Sequence, residues 1–203
     1  EPSFPIAVAC DPAFNFVYEA NIRYLHHLGE VTYFSPLADT SLPDAGFVYL
    51  PGGYPELYLA ALSANRQMLQ SIRRYVESGG KLLAECGGMM YLCDEIRDKN
   101  GYVYPMAGVL HQSATMENMK LRLGYRTLLY NETRLKGHEF HYSRLVEQQN
   151  PLPSCAVAYT AKGVETDTPL YHYKNVWAGY THLYWADPVG NEWFTKFVID
   201  GNT

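Results

Sequence analysis

The sequence predicts an α/β domain with a mainly parallel central sheet and extra β-strands in its second half. Three observations carry this expectation. Short apolar runs alternate with amphipathic helical stretches as far as Asn100. Glycine-rich turns close several of those runs, notably Pro51-Gly52-Gly53 and Cys86-Gly87-Gly88. Beyond Asn100 the texture changes to shorter β-like pieces rich in polar aromatics.

Each element has its own signature. Pro5-Ile6-Ala7-Val8-Ala9-Cys10, closed by Asp11-Pro12, is a run suited to a strand buried on both faces. Phe14, Val17, Ile22, Leu25 and Leu28 recur at helical spacing, and Gly29 supplies the stop. Val31-Thr32-Tyr33-Phe34 reads as a second strand, and Gly46–Leu50 as a third running into Pro51. Met68, Leu69, Ile72 and Val76 define a helix over Ala64–Val76, which Gly79-Gly80 breaks. Lys81–Ala84 is a fourth strand, followed by a helix from Met89 to about Ile96. Strands and helices in this alternation imply βαβ units. Later strands are expected over Tyr102–Tyr104, Arg126–Tyr130, Phe140–Val146, Ala156–Thr160 and Val176–Tyr184, with a closing helix near Asn191–Ile199. No repeat, linker or low-complexity tract divides the chain, so residues 1–203 read as one domain.

Composition excludes several classes. A charged fraction of 18% with 47% hydrophobic residues does not suit a disordered chain. The balance of 16 Lys+Arg against 21 Asp+Glu shows no basic stripe for nucleic acid. No apolar run approaches the ~18 residues of a membrane span, and no basic-then-apolar leader opens the sequence, so no membrane partner is expected. The four cysteines, Cys10, Cys86, Cys93 and Cys155, form no CxxC pair, which argues against a zinc ribbon or a disulfide-stapled fold and points to a reducing cytoplasm. The start at Glu1-Pro2-Ser3, without Met, is read as that of a piece from a longer chain.

Chemistry concentrates at Cys86. A nucleophile at a strand-to-helix turn stands above the sheet with the next helix's amides directed at it, and following glycines permit the turn. A lone cysteine is more often structural, but the strand–Cys–Gly–Gly–helix context reverses that preference; Cys10, Cys93 and Cys155 default to small buried residues. In an open parallel sheet the loop Pro51-Gly52-Gly53 faces the same crevice, so Gly53 and Gly87 N–H groups can converge as an oxyanion hole. His182, ending a β-like run, is a candidate base and then acid. In Gly137–Ser143, extended geometry puts Glu139, His141 and Ser143 on one face and His138 and Phe140 on the other. That split and the absence of His-Glu-x-x-His leave no metal site assigned. His26, His27, His111 and His172 lack supporting partners and default to surface or core roles.

Taken together, Asp11-Pro12-Ala13-Phe14-Asn15-Phe16, Phe34-Ser35-Pro36-Leu37, Pro51-Gly52-Gly53-Tyr54-Pro55-Glu56-Leu57, Ala84-Glu85-Cys86-Gly87-Gly88, Met106-Ala107-Gly108-Val109, Leu123-Gly124-Tyr125 and Gly137-His138-Glu139-Phe140-His141-Tyr142-Ser143 resemble the glutaminase domains of cobyrinic acid a,c-diamide synthases. These are triad-type class I glutamine amidotransferases with a flavodoxin-like, three-layer fold, and the likeness runs over nearly the whole chain. It implies Cys86 as nucleophile, His182 as base, and Gly53 and Gly87 as oxyanion donors. It also implies glutamine as substrate, cobalamin biosynthesis as the setting and an N-terminal synthetase domain in cis. That domain would bind ATP and Mg2+ and most of the corrinoid acceptor; its G-x-x-x-x-G-K-[ST] loop does not occur here, and no cofactor is expected in this domain. Cobyric acid synthase, another tetrapyrrole amidase and a Cys hydrolase on the same fold are the alternatives. Related enzymes often place Glu two residues after the catalytic His, where this chain has Tyr184. Glu139, with His141 beside it, is therefore a candidate orienting or substrate-facing group, and a Cys–His pair can also suffice.

Overall fold

A computed structural model describes residues 4–201. Glu1-Pro2-Ser3, on which the expectation of a longer chain rests, lie outside the described residues. Through the first half run β1 (Pro5–Ala9), α1 (Glu19–Leu28), β2 (Glu30–Phe34), β3 (Phe47–Leu50), α2 (Leu59–Ala64), α3 (Arg66–Glu77), β4 (Lys81–Glu85) and α4 (Gly87–Leu92). Short strands follow: β5 (Glu95–Arg97), β6 (Val103–Pro105) and β7 (Ser113–Thr115). A long hairpin, β8 (Arg122–Tyr130) and β9 (Thr133–His141), leads to β10 (Arg144–Leu145), β11 (Val157–Thr160) and β12 (Glu165–Thr166). The chain closes with β13 (Leu170–Tyr173), β14 (Val176–Gly179), β15 (His182–Leu183), α5 (Pro188–Trp193) and a π-helical continuation over Phe194–Ile199.

The central sheet has the order β13-β14-β4-β3-β1-β2. All its pairings are parallel except the edge pair β13–β14. The parallel part, β2-β1-β3-β4-β14, is the doubly wound order of flavodoxin-like folds. Alternation along each strand divides the core between two faces. Ala7, Ala9, Val48, Leu50, Leu82 and Ala84 pack under α2, α3 and α4. Ile6, Val8, Phe47, Tyr49, Leu83 and Trp177 meet Leu25 of α1 and the aromatic C-terminal helix. Three layers result. The second half adds an antiparallel sheet, β12-β11-β8-β9-β15, and a mixed one, β10-β7-β5-β6.

Several boundaries differ from the sequence reading. The first helix begins at Glu19 because Asp11 and Phe14 exchange backbone hydrogen bonds and Phe16 N–H donates to Gly52, which holds that segment out of a helix. The helix after the glycines runs over Gly87–Leu92; Ile96 belongs instead to β5, because Asp94 and Glu95 return the chain to sheet pairing. Val176–Tyr184 is two strands in different sheets, interrupted at Tyr180-Thr181, and Phe140–Val146 breaks after His141. Helix α2 was not expected. Cys10 is exposed rather than buried, since β1 ends at Ala9.

One side chain ties α1 to the sheet edge. Asn21, fully buried, donates to the Leu183 carbonyl at 2.8 Å and accepts from the Trp185 N–H at 3.1 Å. Asn21→Ala leaves both backbone groups without that partner, each orphan costing about 1–3 kcal/mol. Equilibrium denaturation is expected to register a loss of roughly 2–6 kcal/mol.

Candidate active site

The site lies where three neighbouring strands of the central sheet end together. β4 is flanked by β3 on one side and β14 on the other. Its pairing continues past the strand, with Cys86 N–H donating to the Gly179 carbonyl at 2.7 Å. Cys86 therefore stands at the C-terminal tip of β4, Pro51-Gly52-Gly53 at that of β3, and His182 just beyond that of β14. Its backbone, φ 51° and ψ −108°, is a conformation that side chains other than glycine rarely adopt. This is the strained strand-to-helix turn expected of a nucleophile, and α4 starts at the next residue.

The glycines are required by contact. A Cβ on Gly52 would sit 2.2 Å from Cε1 of His182, so Gly52 makes room for the imidazole. Gly53, at φ +152°, would bring a Cβ within 2.2 Å of the Ala13 carbonyl oxygen. A Cβ on Gly87 would meet Cδ of Pro55 at 2.7 Å and the Gly53 carbonyl oxygen at 3.1 Å. These contacts chain His182, Gly52, Gly53, Gly87 and Cys86 into one cluster. Phe16 completes a wall, its ring centroid 4.4 Å from that of His182.

Cys86 and His182 are both buried, and burial disfavours the charged form of each. Burial pushes the Cys86 thiol up, the nearby Glu56 carboxylate adds to the rise, and the Gly87 N–H pulls partly back. The thiol donates to the Phe140 carbonyl at 3.5 Å. Burial and then the His138 and His141 rings lower His182 to about 4. Its Nδ1 is buried without a hydrogen-bond partner among the described residues. Burial thus favours thiol and imidazole over thiolate and imidazolium.

The structure separates Glu139 from the role of holding His182. β15 pairs with β9 so that His182 lies opposite His138. Glu139 projects from the other face of β9, where Arg126 Nε donates to it at 2.6 Å and Thr168 Oγ1 at 2.7 Å. His141 Nε2 is 2.7 Å from its second oxygen, and His141 Nδ1 is 2.7 Å from the Ser143 carbonyl. Burial opposes charge on Glu139, but the bonds from His141 and Thr168 and the His141 and Arg122 charges prevail and hold it at about 2. Glu139 therefore orients His141, and His141 stacks on Tyr180 with centroids 3.6 Å apart. The sequence reading overlooked Phe16, Glu56 and Glu85. Of these, Glu85 alone had a signal, an acid closing an apolar strand directly before the candidate nucleophile.

Among the described residues no group of three or more His, Cys, Asp or Glu side chains could hold a metal ion. What the cluster offers is a thiol, an imidazole and glycine amides at adjoining strand ends, which suits acyl transfer through a thioester. Because burial keeps the sulfur protonated, alkylation of Cys86 by iodoacetamide, followed by peptide mass spectrometry, is expected to be slow at pH 7. Its rate should still be climbing above the ordinary thiol value of about 8.5. A rate plateau reached below pH 7 would show a preformed thiolate.

Comparison with known proteins gives the family. The CobB/CobQ-like glutamine amidotransferase domain matches residues 5–189. A hydrogenobyrinate a,c-diamide synthase of Pseudomonas aeruginosa is 40% identical over 185 residues, covering 88% of this chain and 41% of the relative. A cobyrinate a,c-diamide synthase of Fusobacterium nucleatum is also 40% identical, over 188 residues, with the same shares. The chain thus spans about two fifths of the length of these relatives. Among solved structures, PurLQS from Thermotoga maritima superposes with a TM-score of 0.59 at 18% identity, covering 89% of this chain and 87% of that one. A glutamine amidotransferase from the same organism gives 0.57 at 12% identity, covering 96% and 82%. These structural likenesses speak to the fold. With a match extending over residues 5–189, the chain belongs to the CobB/CobQ-like glutamine amidotransferase domain family.

Proposed function

We propose that this domain hydrolyses glutamine and supplies ammonia for ATP-dependent amidation of the a and c carboxylates of a cobyrinate-type corrinoid. The observation that carries the reading is Cys86 at its strained turn, with His182 against Gly52, in a chain 40% identical to a,c-diamide synthases. Carboxylate activation, with its nucleotide and Mg2+, is assigned to the portion of the relatives' length that this chain does not span. A cytoplasmic setting accords with that chemistry.

His182 takes the Cys86 proton as Sγ attacks the side-chain carbonyl carbon of glutamine. The C=O electron pair moves onto oxygen, where the Gly53 and Gly87 N–H groups stabilise it, a contribution of about 3–4 kcal/mol per donor in comparable sites. Collapse of the tetrahedral intermediate breaks the C–N bond, and His182 delivers its proton to the departing nitrogen, giving ammonia and a glutamyl thioester. Water then adds to the thioester with His182 as base, and glutamate leaves as the thiol is restored. Since both groups start neutral, the proton moves only when substrate provides a developing oxyanion to balance it.

The reading is tested in the polypeptide that includes the additional region, by following ATP-dependent amidation with glutamine and then with ammonium salt. Cys86→Ala is expected to abolish glutamine-dependent amidation and glutamate release while ammonium-dependent amidation continues. Failure of ammonium to support a folded Cys86→Ala protein would contradict the division of labour. Gly52→Ala forces the imidazole aside and is expected to lower glutamate release by about 100-fold or more, as misplacement by about 1 Å does elsewhere. A wild-type rate for Gly52→Ala would remove His182 from its proposed place.

A further inference from the structure

No carboxylate bonds to the His182 ring among the described residues, yet His182 is held in a short strand of two residues, which pairing alone defines weakly. The carboxyl nearest in the chain to the nucleophile supplies the missing restraint. We propose that Glu85 is the positioning residue of this active site, a buried clasp that joins the backbone of the nucleophile to the backbone of the base. The inference rests on the glutaminase reading and adds a residue to it.

Glu85 ends β4 and is 1% exposed. Its main chain runs directly into Cys86, and its Oε2 accepts from the Leu183 N–H at 2.6 Å. Leu183 is the residue after His182. The link from nucleophile to base is therefore one side chain long: Cys86, Glu85, Leu183 amide, His182. The other carboxyl oxygen, Oε1, is fixed by the Tyr49 hydroxyl from β3, itself 1% exposed. Glu85 on β4 thus joins Tyr49 of β3 to Leu183 of β15, the strand that follows β14 in the chain and carries His182. Asn21 holds the Leu183 carbonyl on the opposite side of the same peptide chain, and the Tyr18 hydroxyl reaches the His182 carbonyl at 3.4 Å. With His182 restrained at its backbone, its ring is packed between Gly52 and Phe16.

Burial of a carboxyl here fits a bonding role rather than a charged one. Desolvation raises Glu85 to about 8, against the pull of the Tyr49 and Leu183 bonds, and so favours the neutral acid. A carboxylate would raise the Cys86 thiol further, whereas a neutral carboxyl accepts the Leu183 N–H without that penalty.

The test uses glutamate release from glutamine by the polypeptide containing the additional region, with kcat and KM determined separately. Glu85→Gln keeps an acceptor for Leu183 and is expected to retain kcat within about threefold. Glu85→Leu removes it and is expected to lower kcat about 100-fold while KM for glutamine stays within about threefold. Tyr49→Phe, which deletes a single hydroxyl and so spares the packing should Glu85→Leu not fold, is expected to lower kcat about threefold to tenfold at unchanged KM. Wild-type kcat in Glu85→Leu or in Tyr49→Phe would overturn the proposal. So would a Glu85→Gln variant as impaired as Glu85→Leu, because charge rather than bonding would then be in use. A wild-type protein that releases no glutamate would instead overturn the glutaminase reading itself.

Discussion

The site depends on one constraint, the common ending of three adjacent parallel strands. Because β3, β4 and β14 run the same way and lie side by side, their C-terminal tips converge, and each hands one component to the same crevice. The 2.7 Å bond from Cys86 N–H to the Gly179 carbonyl is where this constraint becomes chemical. It carries sheet pairing one residue past β4 and fixes the spacing between Cys86 and the segment bearing His182. Strands placed apart in the sheet order could not do this with loops so short.

Electrostatics then follow from burial. A thiol and an imidazole kept from water both favour their neutral forms, and among the described residues no ion pair is made to either group. The carboxylate that is strongly ionised, Glu139, is enclosed with Arg126, Thr168 and His141 on the far face of β9. Its charge is compensated there, one residue before Phe140, whose carbonyl receives the Cys86 thiol. One strand therefore serves two faces. Odd–even alternation puts His138 beside His182 and Glu139 away from it.

Much of this was legible in the residues. Apolar β1, β3 and β4 declared themselves as buried strands, and Cys86 between a strand and two glycines declared its turn. The face assignment over Gly137–Ser143 was right for His138, Glu139 and His141 by alternation alone. What could not be read was long-range. Helix α1 starts late because Phe16 bonds to Gly52, a partner distant in sequence. The Ile96 strand exists through pairing with β6 and β7, which local periodicity does not encode. Gly52 looked like an ordinary turn residue, and only the imidazole against it explains the missing side chain. Glu139 does not orient His182, because Arg126, Thr168 and His141 occupy its oxygens.

The most direct test of the account is the titration of the His182 ring, followed by nitrogen NMR in protein labelled at histidine. If the three-strand edge buries an uncharged base as described, His182 titrates near pH 4, well below the ordinary value of 6.5, and is a neutral imidazole at pH 7. Protonation as pH falls through that value would then silence it as the acceptor of the Cys86 proton. A midpoint at or above 6.5, with an imidazolium present at neutral pH, would contradict the account and indicate an ion pair with a Cys86 thiolate.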